Sequence, residues 1–335
     1  MIQRLLALGA ALCMTATILA EPPKAATPAP AEEAPDVPSD VEAISLFGAD
    51  LRRQPLSDST RARLEANLAQ ARSDYLANPH DESAIIWYAR RLGYLGRYQE
   101  ALAVLSKGLE EQPWSFRMLR HRGHRYITVR EFDKAIADLT RADELFQTKD
   151  EIEPDGAPNA LNIPRSTTRF NILYHLGLAH YLKGDFEKAR DAWTRCLVPA
   201  RRNDDMLVAT TNWLVLTDKR LGLDEEAAAL LENINASMNI VEEDAYLTLC
   251  LLHMGGITEE EAMKQAGADD NPNLPGLNNA TIGYGVGAWR LLNGDDAGAR
   301  RLWDRVLQGP SWGAFGYVAA EAEQARLMKV TGSKP

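Results

Sequence analysis

The sequence predicts an all-α fold, an α-solenoid of stacked antiparallel helix pairs. Three observations predict it. Apolar residues recur at three- and four-residue spacing along most of the chain, which is a helical period. A small-residue and aromatic pattern repeats with a shift of thirty-four residues, the signature of a repeat array. Runs with strand character are nearly absent.

The first twenty residues, "MIQRLLALGAALCMTATILA", have the form of an export signal. Arg4 supplies a minimal positive start, Leu5 to Leu19 the apolar stretch, and Ala20 precedes a polar break, so cleavage is expected after Ala20. The apolar run is short and small-sided for a membrane span. Cys13 raises lipid attachment as the alternative, against which Leu12 stands where a small residue is required. Residues 21–40 hold six prolines and five alanines, a composition suited to an extended, solvated linker. A periplasmic or secreted protein of bacterial type is the expectation.

Residues 41–81 are expected to supply N-terminal capping helices, the clearest starting at the Ser57-Asp58 cap and running to about residue 78. The first two repeats then occupy 82–149. Anchored on Gly96, the pattern gives Tyr98, Ala101, Leu105, Gly108 and Pro113. Thirty-four residues on it gives Arg130, Phe132, Ala135, Leu139 and Ala142, with Gly123 and Tyr126 upstream. Residues 150–169, "DEIEPDGAPNALNIPRSTTR", interrupt the array as an insertion loop with three prolines; a loop this long inside an array is usually functional or mobile. The remaining repeats, expected at 170–310, start with the copy anchored on Gly184 (Phe186, Ala189, Trp193, Cys196). They end with the copy at Gly294 (Ala299, Trp303, Val306), and the fourth and fifth are divergent. "LKGDFEKARDAW" and "LNGDDAGARRLW" agree at Leu, Gly, Asp, Ala, Arg and Trp, 110 residues apart. Thr258 with Glu261 reads as a capping box, and 268–276 is a second interruption. Residues 311–335 are expected to form a C-terminal capping helix with its charges facing water.

These residues resemble the tetratricopeptide repeat family over about residues 82–310. The pattern of Trp, Leu-Gly and Tyr on a first helix, then Ala, an aromatic and Pro, is present with departures: Arg122 stands at the usual Leu position, Asp224 and Asp296 replace an aromatic, and the Pro is often missing. The resemblance implies that first helices line a concave groove and that the groove binds protein or peptide. The stacking itself has a physical reason, since one helix pair cannot cover its own apolar face.

The chain carries a net charge of −10, which disfavours general nucleic-acid binding. Yet "FRMLRHRGHRYITVR" gathers five arginines and two histidines on one helix. On that helix Arg117, Arg120, His121 and His124 share a sector away from Leu119, Gly123 and Tyr126. By the resemblance, Trp87, Arg90 and Tyr94 of the preceding copy and Asn171, Tyr174 and His175 of the following one line the same groove. Arginine offers a planar fork matched to carboxylates. Two such contacts, at roughly 1.5–3 kcal/mol each, fall short of the ~8 kcal/mol of a micromolar complex, so Trp87, Tyr94 and Tyr174 are the expected apolar anchors. The expected ligand is a peptide segment rich in acidic residues or ending in a free carboxylate. Two alternatives stay open. Either the charge needs no ligand, because the acids that open the insertion (Asp150, Glu151, Glu153, Asp155) neutralise the arginines from within or the charged helical face is simply solvated, or the groove takes a small anion, a metal ion or a cell-wall glycan. The arginines oppose a metal on His121, His124 and His175, so neither metal nor cofactor is expected. The family's Lys and Asn carboxylate clamp does not carry over, because Ile86 and Arg90 stand at two of its positions. No phosphate-cradling loop, nucleophile elbow or His-Glu-x-x-His is present, so no enzymatic activity is expected.

Overall fold

A computed structural model describes residues 40–156, 159, 161–266 and 277–331. The chain divides into Met1–Pro38 and Ser39–Pro335, and all described elements belong to the second unit. The expected export segment, Cys13, nearly all of the linker and the 268–276 interruption lie outside the described residues.

The first element corrects the expectation of helices throughout 41–81. β1 (Val41–Ile44) and β2 (Asp50–Arg52) pair antiparallel around a turn in which Gly48 adopts φ 83°. Glu42, in the middle of β1, hides the alternation that marks a strand, because it points inward. It is almost wholly buried, accepting from Arg53 Nε at 2.6 Å and from the Gln99 amide at 2.9 Å. The expected helix follows as α1 (Asp58–Ala77), N-capped by Ser57, whose Oγ accepts from the Thr60 amide at 3.2 Å.

The pairs then run as read from the sequence: α2 (Glu82–Tyr94) with α3 (Tyr98–Glu111), α4 (Phe116–Thr128) with α5 (Phe132–Leu145), α6 (Thr168–Lys183) with α7 (Phe186–Ala200), α8 (Asp204–Arg220) with α9 (Asp224–Leu231), α10 (Asp244–His253) with α11 (Glu259–Ala266), and α12 (Leu277–Leu292) with α13 (Asp296–Leu307). Each first helix touches the first helices on either side, α2 through α12. That is the stacking of an α-solenoid. Small residues close the two helices of a pair: a Cβ at Gly177 of α6 would sit 2.6 Å from the Trp193 ring of α7, and one at Gly123 of α4 would sit 2.7 Å from Leu139 of α5. The Thr258 capping box forms, with Glu261 N donating to Thr258 Oγ1 at 3.2 Å and Thr258 N to Glu261 Oε2 at 2.8 Å. Trp193 and Trp303 lie in the core, while Trp114 is exposed. Cys196 and Cys250 are buried free thiols. No helix among the described residues is long and apolar enough to cross a membrane.

The closing helix departs from expectation. α14 (Phe315–Thr331) packs on α12 and α13 but also on α6, so it folds back onto the inner face of the array. Its acids do not face water. Glu321 and Glu323 are each 1 % exposed. Arg130 Nη2 donates to Glu321 Oε2 at 2.6 Å, and Glu323 takes Arg220 and Arg326. Arg130 itself explains the arrangement. It stands where the other repeats turn on Gly96, Gly184, Gly222 and Gly294, and it adopts the same left-handed conformation at φ 69°. A side chain there costs roughly 1–2 kcal/mol; the ion pair with the C-terminal helix offsets it. Trp312 adds a second tie, donating from Nε1 to the Arg52 carbonyl at 2.7 Å.

Candidate ligand-binding cleft

Ser115 starts α4 by accepting the Met118 amide at 3.0 Å, and the helix then turns Arg117, Arg120 and His121 toward α2. From α2, Arg90 lies 4.5 Å above the Trp87 ring and Arg91 4.9 Å from its centre, both within cation–π distance. Between these helices and the insertion is a cavity of ≈ 340 Å³ lined by Ile86, Trp87, Arg90, Arg117, His121 and Ile152 among others.

The insertion forms a strap across this cleft. Its base is closed by an antiparallel bridge between Ile152 and Thr167, with Thr168 N donating to Glu151 O at 3.1 Å and Glu153 N to Ser166 O at 3.0 Å. Its far limb is pinned by Arg165, whose Nε donates to Asp205 at 2.7 Å. Its near limb meets the arginines one by one. Arg117 lies 3.3 Å from Glu151 and 3.4 Å from Glu82. Glu153 lies 3.2 Å from both Arg120 Nη1 and His121 Nε2 and accepts from Asn171 Nδ2 at 2.9 Å. Arg90 donates to the Pro154 carbonyl at 2.8 Å and Arg91 to the Gly156 carbonyl at 2.7 Å. Gly156 passes so close to Tyr94 that a Cβ would collide with the ring. Internal pairing, one of the readings left open by the sequence, is what the structure shows at Arg117, Arg120 and His121.

The electrostatics follow from burial and neighbours. Burial alone would raise the Glu153 carboxyl, but Arg120 and His121 hold it well below the usual range. Burial, reinforced by the Arg120 charge, lowers His121 to about 3, so its ring is neutral. Its tautomer is fixed: Nδ1 accepts from Arg120 Nη1 at 2.8 Å and Nε2–H faces Glu153. Arg120 is brought down to about 10 by burial, with Glu153 opposing, and its Nε has no hydrogen-bond partner among the described residues.

The other expected residues separate from this cleft. His124 and His175 pack ring to ring at 4.4 Å, with Phe315 of the C-terminal segment 5.3 and 5.5 Å away. Tyr174 is buried, donating to the Tyr246 hydroxyl at 3.0 Å and accepting from Trp213 Nε1 at 2.8 Å. The folded-back C-terminal helix, with Phe315 at its start, is the reason these three do not line an open groove. Among the described residues no group of His, Cys, Asp and Glu is arranged to hold a metal ion. Sequence reasoning missed Arg91 and Phe315. Arg91 adjoins Arg90 and could have been found on the helical wheel; Phe315 gave no signal, because nothing local says that α14 turns inward.

No protein-family model matches the sequence, and no curated protein does. Among solved structures, MamA from AMB-1 is 18 % identical, covering 52 % of this chain and 90 % of its own at a TM-score of 0.39. YrrB, "a TPR protein with an unusual peptide-binding site", is 15 % identical over 76 % of this chain and 97 % of its own, at a TM-score of 0.39. A tetratricopeptide repeat protein from Parabacteroides merdae is 15 % identical over 80 % and 94 %, at 0.47. The stacked antiparallel helix pairs are read from the contacts within this chain, not from these likenesses.

Proposed function

We propose that this chain is an exported, non-enzymatic repeat scaffold that binds an acidic protein or peptide segment in the cleft between α2 and α4. The observation that carries the reading is the cluster of Arg90, Arg117 and Arg120 with Trp87 around a cavity of ≈ 340 Å³. Guanidinium forks supply direction, and the Trp87 and Ile86 surfaces supply the apolar anchoring that charge pairs alone do not. Of the residues named from sequence, Trp87, Arg90, Tyr94, Arg117, Arg120 and His121 are retained as contacts, with Asn171 behind Glu153. His124, Tyr174 and His175 act as support. Export rests on the sequence of residues 1–20, and mass spectrometry of the mature N-terminus in an envelope fraction would check it.

The test is a peptide library selected on the immobilised protein, followed by titration of the selected peptides against Arg90→Glu/Arg117→Glu. Both side chains reach the surface, so the fold is expected to survive. Selected peptides should be acidic and should lose at least tenfold in affinity, about 1.4 kcal/mol, on the double variant. Equal affinity for both proteins would place the site elsewhere.

A further inference from the structure

We infer that residues Glu151–Gly156 are a built-in occupant of this cleft, and that the external ligand is an extended segment of the same chemistry, glutamates two apart followed by proline, which enters when the strap lifts. The inference rests on the reading of the cleft as a peptide site and deepens it.

The near limb of the strap is received in the way an extended peptide would be. Alternate side chains point the same way in an extended chain. Glu151 and Glu153 accordingly reach the same helix, the first meeting Arg117 and the second Arg120 and His121. The residue between them, Ile152, pairs with neither arginine; it borders the cavity and is 62 % exposed. Past Glu153 the contacts change from side chain to backbone: Arg90 takes the Pro154 carbonyl and Arg91 the Gly156 carbonyl. Four arginines on two helices therefore read one short segment, two by charge and two by main chain. Proline suits the fourth position, since its amide has no hydrogen to satisfy and its ring favours an extended course.

The strap is also held as a removable cover would be. Its apolar side chains Ile152, Leu161 and Ile163 are exposed, so lifting it uncovers little apolar surface. Further ties among the described residues, Arg165 to Asp205, Asn203 to the Arg165 carbonyl at 2.8 Å, Asn171 to the Ser166 hydroxyl at 3.0 Å and Asn159 to Glu242 at 3.1 Å, are polar and can be exchanged for water. Asp205 would keep partners, because its Oδ1 also accepts the amides of Val241, Glu242 and Glu243.

The base of the strap makes a clean test possible. Across the Ile152–Thr167 bridge the Glu153 amide donates to the Ser166 carbonyl, so residues 154–165 can be replaced by Asn-Gly, a two-residue hairpin turn, with Glu153→Thr in the same chain. Thr167 then still caps α6 through the Phe170 amide. Arg120 and His121 become solvated rather than buried without a counterion. Fluorescence anisotropy of a labelled Asp-Glu-Ile-Glu-Pro-Asp-Gly peptide is measured against the full chain and the shortened one, each checked by circular dichroism. The shortened chain should bind the peptide at least tenfold more tightly than the full chain, less tightly as salt is added. It should ignore Asp-Lys-Ile-Lys-Pro-Asp-Gly. A folded shortened chain that ignores the glutamate peptide, or a full chain that binds it equally well, overturns the inference. Should the shortened chain not fold, Glu151→Gln/Glu153→Gln in the full-length strap is titrated and judged by the same two outcomes. If library-selected peptides bind the shortened chain through Arg90 and Arg117 but the strap peptide does not, the inference fails and the peptide site stands. If neither kind binds either chain, the peptide site fails with it.

Discussion

Glu153 and Glu321 are both carboxylates brought from outside a repeat to meet arginines on its inner face, yet they are delivered by different kinds of structure. Glu321 rides on α14, where Val318, Ala319 and Ala320 are wholly buried, so the helix is rooted in the core. Glu153 rides on a strap whose large apolar side chains face water. The core is divided in the same way. One buried cluster joins Leu68, Ile85, Leu92, Leu105 and Met118 under the first two repeats, and a second, larger one runs from α4 and α6 through the C-terminal helix. Segments that contribute few apolar contacts open at low cost, and those fixed by core packing do not. The difference teaches that burial of a charge says little about permanence; what carries the opposing charge decides it.

The largest expected effect breaks or confirms this contrast directly. Glu321→Ala leaves Arg130 buried without a counterion at a place water cannot enter while α14 stays docked, so about 3–5 kcal/mol is lost. Glu153→Ala removes the partner of Arg120 and His121, but there the strap can lift and admit water, so the loss is about 1–3 kcal/mol. Urea midpoints of the two variants at neutral pH compare them. Equal losses would mean that the strap is as fixed as the helix, and the distinction between the two regions would fall.

The helix pairs were legible because their causes are local. Gly123 and Gly177 stand where two helices touch, Ser57 and Thr258 carry cap chemistry, and the apolar spacing repeats. The basic sector of α4 was legible for the same reason, as was the acid-rich start of the insertion. What closes over the inner face was not, since it depends on residues far apart in sequence: Arg130 with Glu321, Leu46 with Glu321, Trp312 with Arg52. One local clue existed. An arginine at the turn position that other copies give to glycine needs a compensating partner, and residue 130 was that exception. The β-hairpin stayed hidden because its inward side chain is Glu42, whose partners Arg53 and Gln99 lie beyond the strand.

Acid should separate the two regions next. His121 under the strap and His175 under Phe315 are both lowered to about 3, by burial first and by Arg120 second. Each therefore binds fewer protons in the folded chain than in the unfolded one between pH 6.5 and 3. Stability then falls as pH drops through that window, by about 1.4 kcal/mol per pH unit for each histidine where the unfolded ring is charged and the folded one is not. Glu153, whose carboxyl is held low, adds its loss only below about 4.5. Between pH 7 and 5 the lowered His124 and His253 and the raised Glu243 contribute as well, so the share of His121 is read as the difference in urea midpoints between the full and the shortened chain. Shortening the strap solvates His121 and should remove its share of the slope while leaving that of His175. An unchanged slope would show that the strap does not control the environment of His121.

The smallest effect tests which contact holds the strap. Glu151 is 65 % exposed at its side chain and shares Arg117 with Glu82 at nearly equal distances, 3.3 and 3.4 Å. An exposed pair of this kind contributes about 0–1 kcal/mol, and Glu82 remains for Arg117 when Glu151 is gone. Glu151→Ala should therefore barely move the urea midpoint, and the small change should vanish at high salt, where screening reaches within ~3 Å at 1 M. Hydrogen exchange at the Glu153 and Thr168 amides, which close the base of the strap, gives the finer measure. Faster exchange in Glu153→Ala than in Glu151→Ala places the hold at the buried carboxylate. The reverse order would mean that the strap is gripped at its wet edge, and displacement would then start from the Glu153 side.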